Sequence, residues 1–177
     1  TKSLQLGLRT LHEPTNFLIG GGLDDVWHDP QTDEIFIVDY KSTAGRRNED
    51  LTALQEISLV GAYKESYKRQ MDMYQWIMRQ NGFNVNKTGY FVYVNGDQHF
   101  EDGMLEKNID KANMKFNVQL LSYEADDSWV NQTILDLKDC LLQDNCPDHA
   151  ETGYGPKGDK KCEQAQLFEG MKEHGLI

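Results

Sequence analysis

Val26-Trp27, then His28-Asp29-Pro30-Gln31-Thr32-Asp33, then Glu34-Ile35-Phe36-Ile37-Val38-Asp39-Tyr40-Lys41 decides how this chain folds. β-branched and aromatic residues stand on both sides of a stretch holding Asp and Pro, which end strands, so the whole reads as one β-hairpin. With the turn centred between Gln31 and Thr32, residues whose numbers sum to 63 face each other, setting Asp24 opposite Asp39 and Gly22 opposite Lys41. Opposed Cβ atoms lie about 4.5–5.5 Å apart and alternate residues share a face. Asp24, Asp39 and Lys41 are therefore expected to project together, with Asp25 and Tyr40 on the other face. A slip of one residue would reverse the whole arrangement.

Taken singly, an Asp or Lys on a hairpin is usually a solvated surface residue. Context argues otherwise here. Asp39 ends the apolar run Ile35-Phe36-Ile37-Val38, where an unpaired charge is expensive, and Gly20-Gly21-Gly22 before Asp24 permit close approach of a backbone or ligand. Two like charges side by side ask for a hard cation with oxygen ligands, such as Mg²⁺. A lysine next to them serves as a point charge for a phosphate or for a water that must lose a proton. Phosphodiester hydrolysis uses all three parts.

Between Glu65 and Asn81 there is no Pro or Gly, Tyr63, Tyr67, Tyr74 and Ile77 recur at helical spacing, and Gly82 stands where a residue just past a helix end belongs. Gln70 and Tyr74 are i and i+4 and share a face with Tyr67. Tyr67, Met71, Tyr74 and Met78 also fit a core stripe; Gln70 does not.

Gly21-x-x-Asp24, Asp39-x-Lys41 and Gln70-x-x-x-Tyr74, in this order and spacing, resemble the signature of the PD-(D/E)XK nuclease superfamily, specifically its RecB-like branch. The similarity runs from about Leu11 to the C-terminus. The resemblance implies that Asp24 and Asp39 bind Mg²⁺ or Mn²⁺ with the backbone carbonyl of Tyr40 as a further ligand. It also implies that Lys41 positions or activates the attacking water, and that Gln70 and Tyr74 line the site and contact DNA. The implied activity is a deoxyribonuclease, an exonuclease by analogy, serving DNA repair, recombination or phage and mobile-element DNA processing, with DNA as substrate and a protein of a recombination or phage system as a partner. The relatives carry a further acidic residue or histidine on a helix before the first strand, for which His12 and Glu13 are the candidates; the segment before Pro14 is short, so the first core helix is expected to be missing. The alternative is then a catalytically incomplete module that keeps the fold to bind DNA or a protein. Many relatives also close an iron–sulfur cluster with four cysteines, but Cys162-Glu163-Gln164-Ala165 has alanine where the last pair needs its partner, so no cluster is expected.

The cysteines leave two readings, a Cys₃His zinc site from Cys140, Cys146, His149 and Cys162 at unusual spacing, or free thiols in a reducing cytosol. At 177 residues, 38% of them hydrophobic, the chain is expected to form one α/β domain over 1–177, with a loop-rich tail from 143 to 177. No apolar run approaches the roughly 18 residues of a membrane span, and a cytoplasmic protein with no membrane partner is the expectation. A net charge of −11 runs against nucleic-acid binding, which rests on Lys and Arg, although Lys41, Arg46, Arg47, Lys64, Lys68 and Arg69 make a basic strip beside the site. Thr88 to Val94 reads as a central strand ended by Asn95-Gly96-Asp97. Phe116, Val118 and Leu120 alternate with Asn117 and Gln119 as in a strand with one wet face. Asp127-Ser128 cap a helix from Trp129 to Leu142 whose stripe is Val130, Ile134, Leu137 and Leu141. Residues 42–62 read as a loop beside the site. The order hairpin, helix, two strands, helix fits a mixed sheet flanked by helices, as in the restriction-endonuclease-like core of that superfamily.

Overall fold

Asp33 takes a left-handed φ of 55° and closes the turn between the first two strands of the main sheet. The structure is a computed structural model and describes residues 7–44, 55–97, 113–144 and 163–176. Among the described residues there are six strands, β1 (Leu8–His12), β2 (Phe17–Gly21), β3 (Asp25–Asp29), β4 (Glu34–Thr43), β5 (Thr88–Asp97) and β6 (Lys115–Glu124). A short 3₁₀ turn, Ala62–Lys64, leads into α1 (Glu65–Gln80), and α2 (Val130–Leu141) and α3 (Glu163–Glu173) follow β6. Strands β1 and β2 form a separate antiparallel ribbon, and the other four make a mixed sheet in the order β3-β4-β5-β6. The chain is thus α/β, with a mixed four-stranded sheet and flanking helices.

The hairpin has the register its turn dictates: Asp25 faces Val38, Val26 faces Ile37 and Trp27 faces Phe36. After β4 the chain crosses over through α1 and returns as β5, parallel to β4, with Asp39 beside Phe91 and Lys41 beside Tyr93. Helix α1 then lies on the face that carries Asp39. Met71 and Met78 from the helix, Ile37, Phe91 and Tyr93 from the sheet, and Val85 and Ala125 make one buried cluster. Each such side chain contributes about 1.5–3 kcal/mol by leaving water. Gly89 is what lets the helix sit so close, because a Cβ there would lie 2.5 Å from the Met71 sulfur. The helix ends as Gly82 requires: at φ 83° its N–H reaches the Arg79 carbonyl, and the Phe83 N–H reaches that of Met78.

The outer face of α1 packs Trp76 and Ile77 against Val130 and Ile134, with Leu8, Phe17 and Ile19 of the ribbon alongside. Asp72, buried in α1, holds the entry to α2 by accepting the Asp126 N–H and the Trp129 Nε1–H, each at 3.0 Å. Burial raises the pKa of Asp72 more than these bonds lower it. By contacts, residues 1–134 form one compact unit and 135–177 a second.

Several expectations need correction. Asn95-Gly96-Asp97 do not end β5; they stay paired with Asn117, Phe116 and Lys115 of β6, and Asn95 is buried. On β6 the wet and dry faces are exchanged. Opposite Phe91 and Gly89 stand Leu121 and Tyr123, which pack on the core cluster. Their parity sends Phe116, Val118 and Leu120 to the other side, where all three are exposed. The first turn before α2 is closed by Asp126, whose carboxylate accepts the Ser128 N–H. Asp127 instead takes Arg79 at 2.5 Å. Only Val130 and Ile134 of the expected α2 stripe are buried; Leu137 and Leu141 are exposed. Residues 8–12 form a strand, and within the tail from 143 the helix α3 has no counterpart in the sequence reading. No helix among the described residues is long and apolar enough to cross a membrane. Arg46, Arg47, Cys146, His149 and Cys162 lie outside the described residues, as does most of the expected loops around them.

Candidate active site on the β3–β4 hairpin

Asp24 occupies the bend where the chain leaves the ribbon for β3, and its Oδ2 accepts the Tyr40 N–H at 2.9 Å. That bond ties the bend to β4 one residue past Asp39, so the two carboxylates belong to one locality and Asp24 adds to the charge that Asp39 feels. Asp39 itself is only 3% exposed. Burial raises its pKa first and most, Asp24 raises it further, and Lys41 offsets part of the rise. On the opposite face Tyr40 donates its hydroxyl to Asp25 at 2.8 Å, which lowers the pKa of Asp25 and raises that of Tyr40.

From Asp39 a chain of polar contacts runs onto α1. Lys41 Nζ lies 2.5 Å from Asp39 Oδ2 and donates to Gln70 Oε1 at 3.2 Å, and Gln70 Nε2 donates to the Tyr74 hydroxyl at 2.7 Å. The same Nζ sits 4.7 Å from the centre of the Tyr67 ring. The helical spacing of Tyr67 and Gln70 brings both to Lys41, and Tyr74 one turn on reaches it only through Gln70. The ring of Tyr74 in turn presses on the ribbon: a Cβ at Gly21 would lie 2.6 Å from Tyr74 Cε1, whereas one at Gly22 would meet nothing within 4 Å. Only the middle glycine of the three is held to its identity by a close approach on this side.

The structure therefore brings Asp24, Asp39, Lys41, Gln70 and Tyr74 together, with Tyr40 supplying a backbone N–H. It does not bring His12 or Glu13. His12 is buried at the far end of the ribbon, where its ring bonds Thr15 at 2.8 Å and packs near Trp76. Four strand steps take its partner Phe17 to Gly21, about 13 Å. Among the described residues no three of His, Cys, Asp and Glu gather at one point.

A divalent ion nonetheless suits the donors that are present. Asp39 Oδ2 is buried and, although Lys41 Nζ is near, accepts no hydrogen bond of good geometry. The contact is a close charge pair, and a carboxylate oxygen beside one ammonium keeps a further lone pair that a cation can take. Mg²⁺ is commonly bound by one or two carboxylates, keeping waters and taking phosphate oxygens.

Of the described members of the basic strip expected beside the site, Arg69 is exposed, whereas Lys41 and Lys64 are drawn out of water. Lys68 is bonded to Glu65 at 2.7 Å. Lys64 is buried, donates to the Tyr93 hydroxyl at 2.7 Å and lies 4.3, 4.7 and 5.4 Å from the ring centres of Tyr93, Tyr63 and Tyr67. Tyr67 thus carries an ammonium near its ring twice over, Lys41 and Lys64. Its hydroxyl pKa is pushed up to about 12, chiefly by its hydrogen bond with Tyr63 and then by burial. This group of Lys64, Tyr63 and Tyr93 is absent from the sequence reading as a unit. The i, i+3 and i, i+4 spacing of Lys64, Tyr67 and Tyr63 carries part of the signal, but Tyr93 enters only through the β4–β5 register. Cys140 is a free, half-buried thiol. No protein-family model, no curated protein and no solved structure matches the chain.

Proposed function

We propose that the chain is a metal-dependent DNA nuclease of the RecB-like PD-(D/E)XK kind, built on a restriction-endonuclease-like core. The observation that carries this reading is the unbroken line Asp39, Lys41, Gln70, Tyr74 beside Asp24 at one end of the mixed sheet. Such a line is hard to account for as packing, because it keeps a carboxylate and an ammonium almost out of water. The carboxylates of Asp24 and Asp39, with the Tyr40 carbonyl, would hold Mg²⁺ or Mn²⁺. When bound, the ion supplies positive charge to a phosphate oxygen and acidifies water. Lys41 places a second positive charge where the phosphate becomes more negative on attack. Gln70 fixes the direction of the Lys41 ammonium by accepting from it, and Tyr74 fixes Gln70.

The experiment is digestion of linear DNA in Mg²⁺ or Mn²⁺ by the whole chain, compared with Asp39→Ala and Lys41→Ala. Each substitution should lower the rate by about 100-fold or more. A wild-type chain without activity, or activity that survives both substitutions, defeats the reading. A second reading, a module that binds DNA or a protein without cutting, is favoured by one observation: Asp24 and Asp39 gather no third acidic or histidine ligand among the described residues. It predicts DNA retention without cleavage in either metal.

A further inference from the structure

Tyr63 is 61% exposed, yet it is not free to swing. Its ring stands at 74° to that of Tyr67 with the centres 5.2 Å apart, the Lys64 ammonium lies over it at 4.7 Å, and its hydroxyl is hydrogen-bonded to that of Tyr67. A single exposed aromatic residue is ordinary on a protein surface. One whose inner side is held at three points while most of its surface meets water is a fixed platform, because its rotamer freedom is lost before anything lands on it.

The platform adjoins the candidate active site. Tyr67 lies between Tyr63 and Lys41, its ring centre 5.2 Å from that of Tyr63 and 4.7 Å from the Lys41 ammonium. A phosphate held at Lys41 therefore has the Tyr63 ring within reach of a base on the same strand. Lys64 adds a second ammonium here, and its hydrogen-bond partners are the neutral phenols of Tyr93 and Tyr63. Grooves that take single strands combine the same two parts, positive charge along the backbone and aromatic rings under the bases. A base inside a duplex has both faces against its neighbours and offers neither to a protein ring until it leaves the stack.

We propose that a base of single-stranded DNA stacks on Tyr63 beside the phosphate at Lys41, so that the site takes an unpaired strand or a frayed end in preference to an intact duplex. The placement of the phosphate rests on the nuclease reading; the preference for an unpaired strand goes beyond it.

The test reads binding by the whole chain in Ca²⁺, a hard cation that takes the same oxygen ligands. The probes are an oligothymidylate of about 12 nucleotides and a relaxed circular duplex, whose bases are all stacked. Tyr63→Ala should weaken binding of the oligothymidylate by about 5- to 150-fold, the loss of one stacked base, whereas Tyr63→Phe keeps the ring and should stay within about twofold of wild type. Affinity for the circle should be alike in all three. With 5-iodouracil in place of thymine, irradiation should attach the strand to the tryptic peptide 48–64, in which Tyr63 is the sole aromatic residue. That crosslink is made on the unsubstituted protein and so stands even where Tyr63→Ala fails to fold. Crosslinking confined to other peptides overturns the proposal, as do a Tyr63→Ala variant that binds like wild type, a Tyr63→Phe variant that loses as much as Tyr63→Ala, a circle bound more tightly than the single strand, and no binding of the strand at all. A chain that holds the strand through Tyr63 but never cuts DNA in Mg²⁺ or Mn²⁺ sinks the nuclease reading and leaves the stacking site standing. A chain that cuts and is indifferent to Tyr63→Ala does the reverse.

Discussion

Alanine at Gly21 should damage the protein while alanine at its neighbour Gly22 should not, although local turn chemistry in Gly20-Gly21-Gly22 treats the two alike. A Cβ at Gly21 would lie 2.6 Å from Cε1 and 3.2 Å from Cδ1 of Tyr74. Carbon atoms rest about 3.5–4.0 Å apart, so the ring has to retreat by roughly 1 Å. Its hydroxyl is bonded to Gln70 at 2.7 Å, and a retreat of that size stretches the bond to about 3.5 Å or beyond, where it ceases to count as one. Overpacking costs about 1–3 kcal/mol and the lost bond about 0.5–1.5 kcal/mol. The stiffer unfolded chain returns about 0.4–1 kcal/mol. A net loss of about 0.5–4 kcal/mol follows, which at about 2–4 °C per kcal/mol for a chain of this length lowers Tm by roughly 1–16 °C. At Gly22, where a Cβ would meet nothing within 4 Å, the change should stay within about 0.5 kcal/mol. Thermal unfolding of both variants, and of Gly21→Ala in a Tyr74→Leu background, reads the difference. Equal losses at Gly21 and Gly22, or a Gly21→Ala loss that persists once the Tyr74 ring is gone, would refute the reasoning.

Asp39 has a folded pKa raised mainly by burial, so the folded state binds that proton more tightly than the unfolded one. Its stabilising share is complete below the ordinary carboxylate value near 3.9 and is lost as pH rises through the raised value. Urea midpoints measured across that window should fall for wild type more than for Asp39→Asn, and parallel curves would count against it. Asp72→Ala removes the acceptor of both the Asp126 N–H and the Trp129 Nε1–H and should cost about 3 kcal/mol by urea unfolding. A loss below about 1 kcal/mol would show that Asp72 does not hold the entry to α2.

The elements legible in the sequence are those fixed by contacts between near neighbours. The β3–β4 register follows from a turn whose centre the Asp and Pro residues mark, and every pair from Asp25–Val38 to Asp29–Glu34 obeys it. The end of α1 follows from Gly82, since only a residue at ease with positive φ can turn the chain there. Gln70 and Tyr74 meet because i and i+4 must. Where the reading failed, a distant partner decided. Phe116-Asn117-Val118-Gln119-Leu120 alternates as a half-buried strand should, but the run Leu121-Ser122-Tyr123 alternates in the opposite phase, and the two demands cannot both be met. The second wins because Leu121 and Tyr123 fall opposite Phe91 and Gly89, beneath α1. Nothing local to β6 records that.

Lys64 is the same lesson at the site. Five residues before Arg69 and four before Lys68, it looks like one more solvated charge. In the structure it is buried among Tyr63, Tyr67 and Tyr93, and no carboxylate among the described residues bonds it. A cation out of water with aromatic faces and a phenol for company keeps much of its field, because those partners carry no net charge. Together with Lys41 it sets two positive charges about the Tyr67 ring beside the two carboxylates of Asp39 and Asp24. The end of the sheet thereby balances its acid with base in a chain whose net charge is −11. On the nuclease reading a cation held by Asp24 and Asp39 would add to Lys41 and Lys64 and so ease the conflict between the acidic composition and an anionic substrate: attraction is confined to the few ångströms where the phosphate has to sit, and the remaining surface repels nucleic acid that arrives elsewhere.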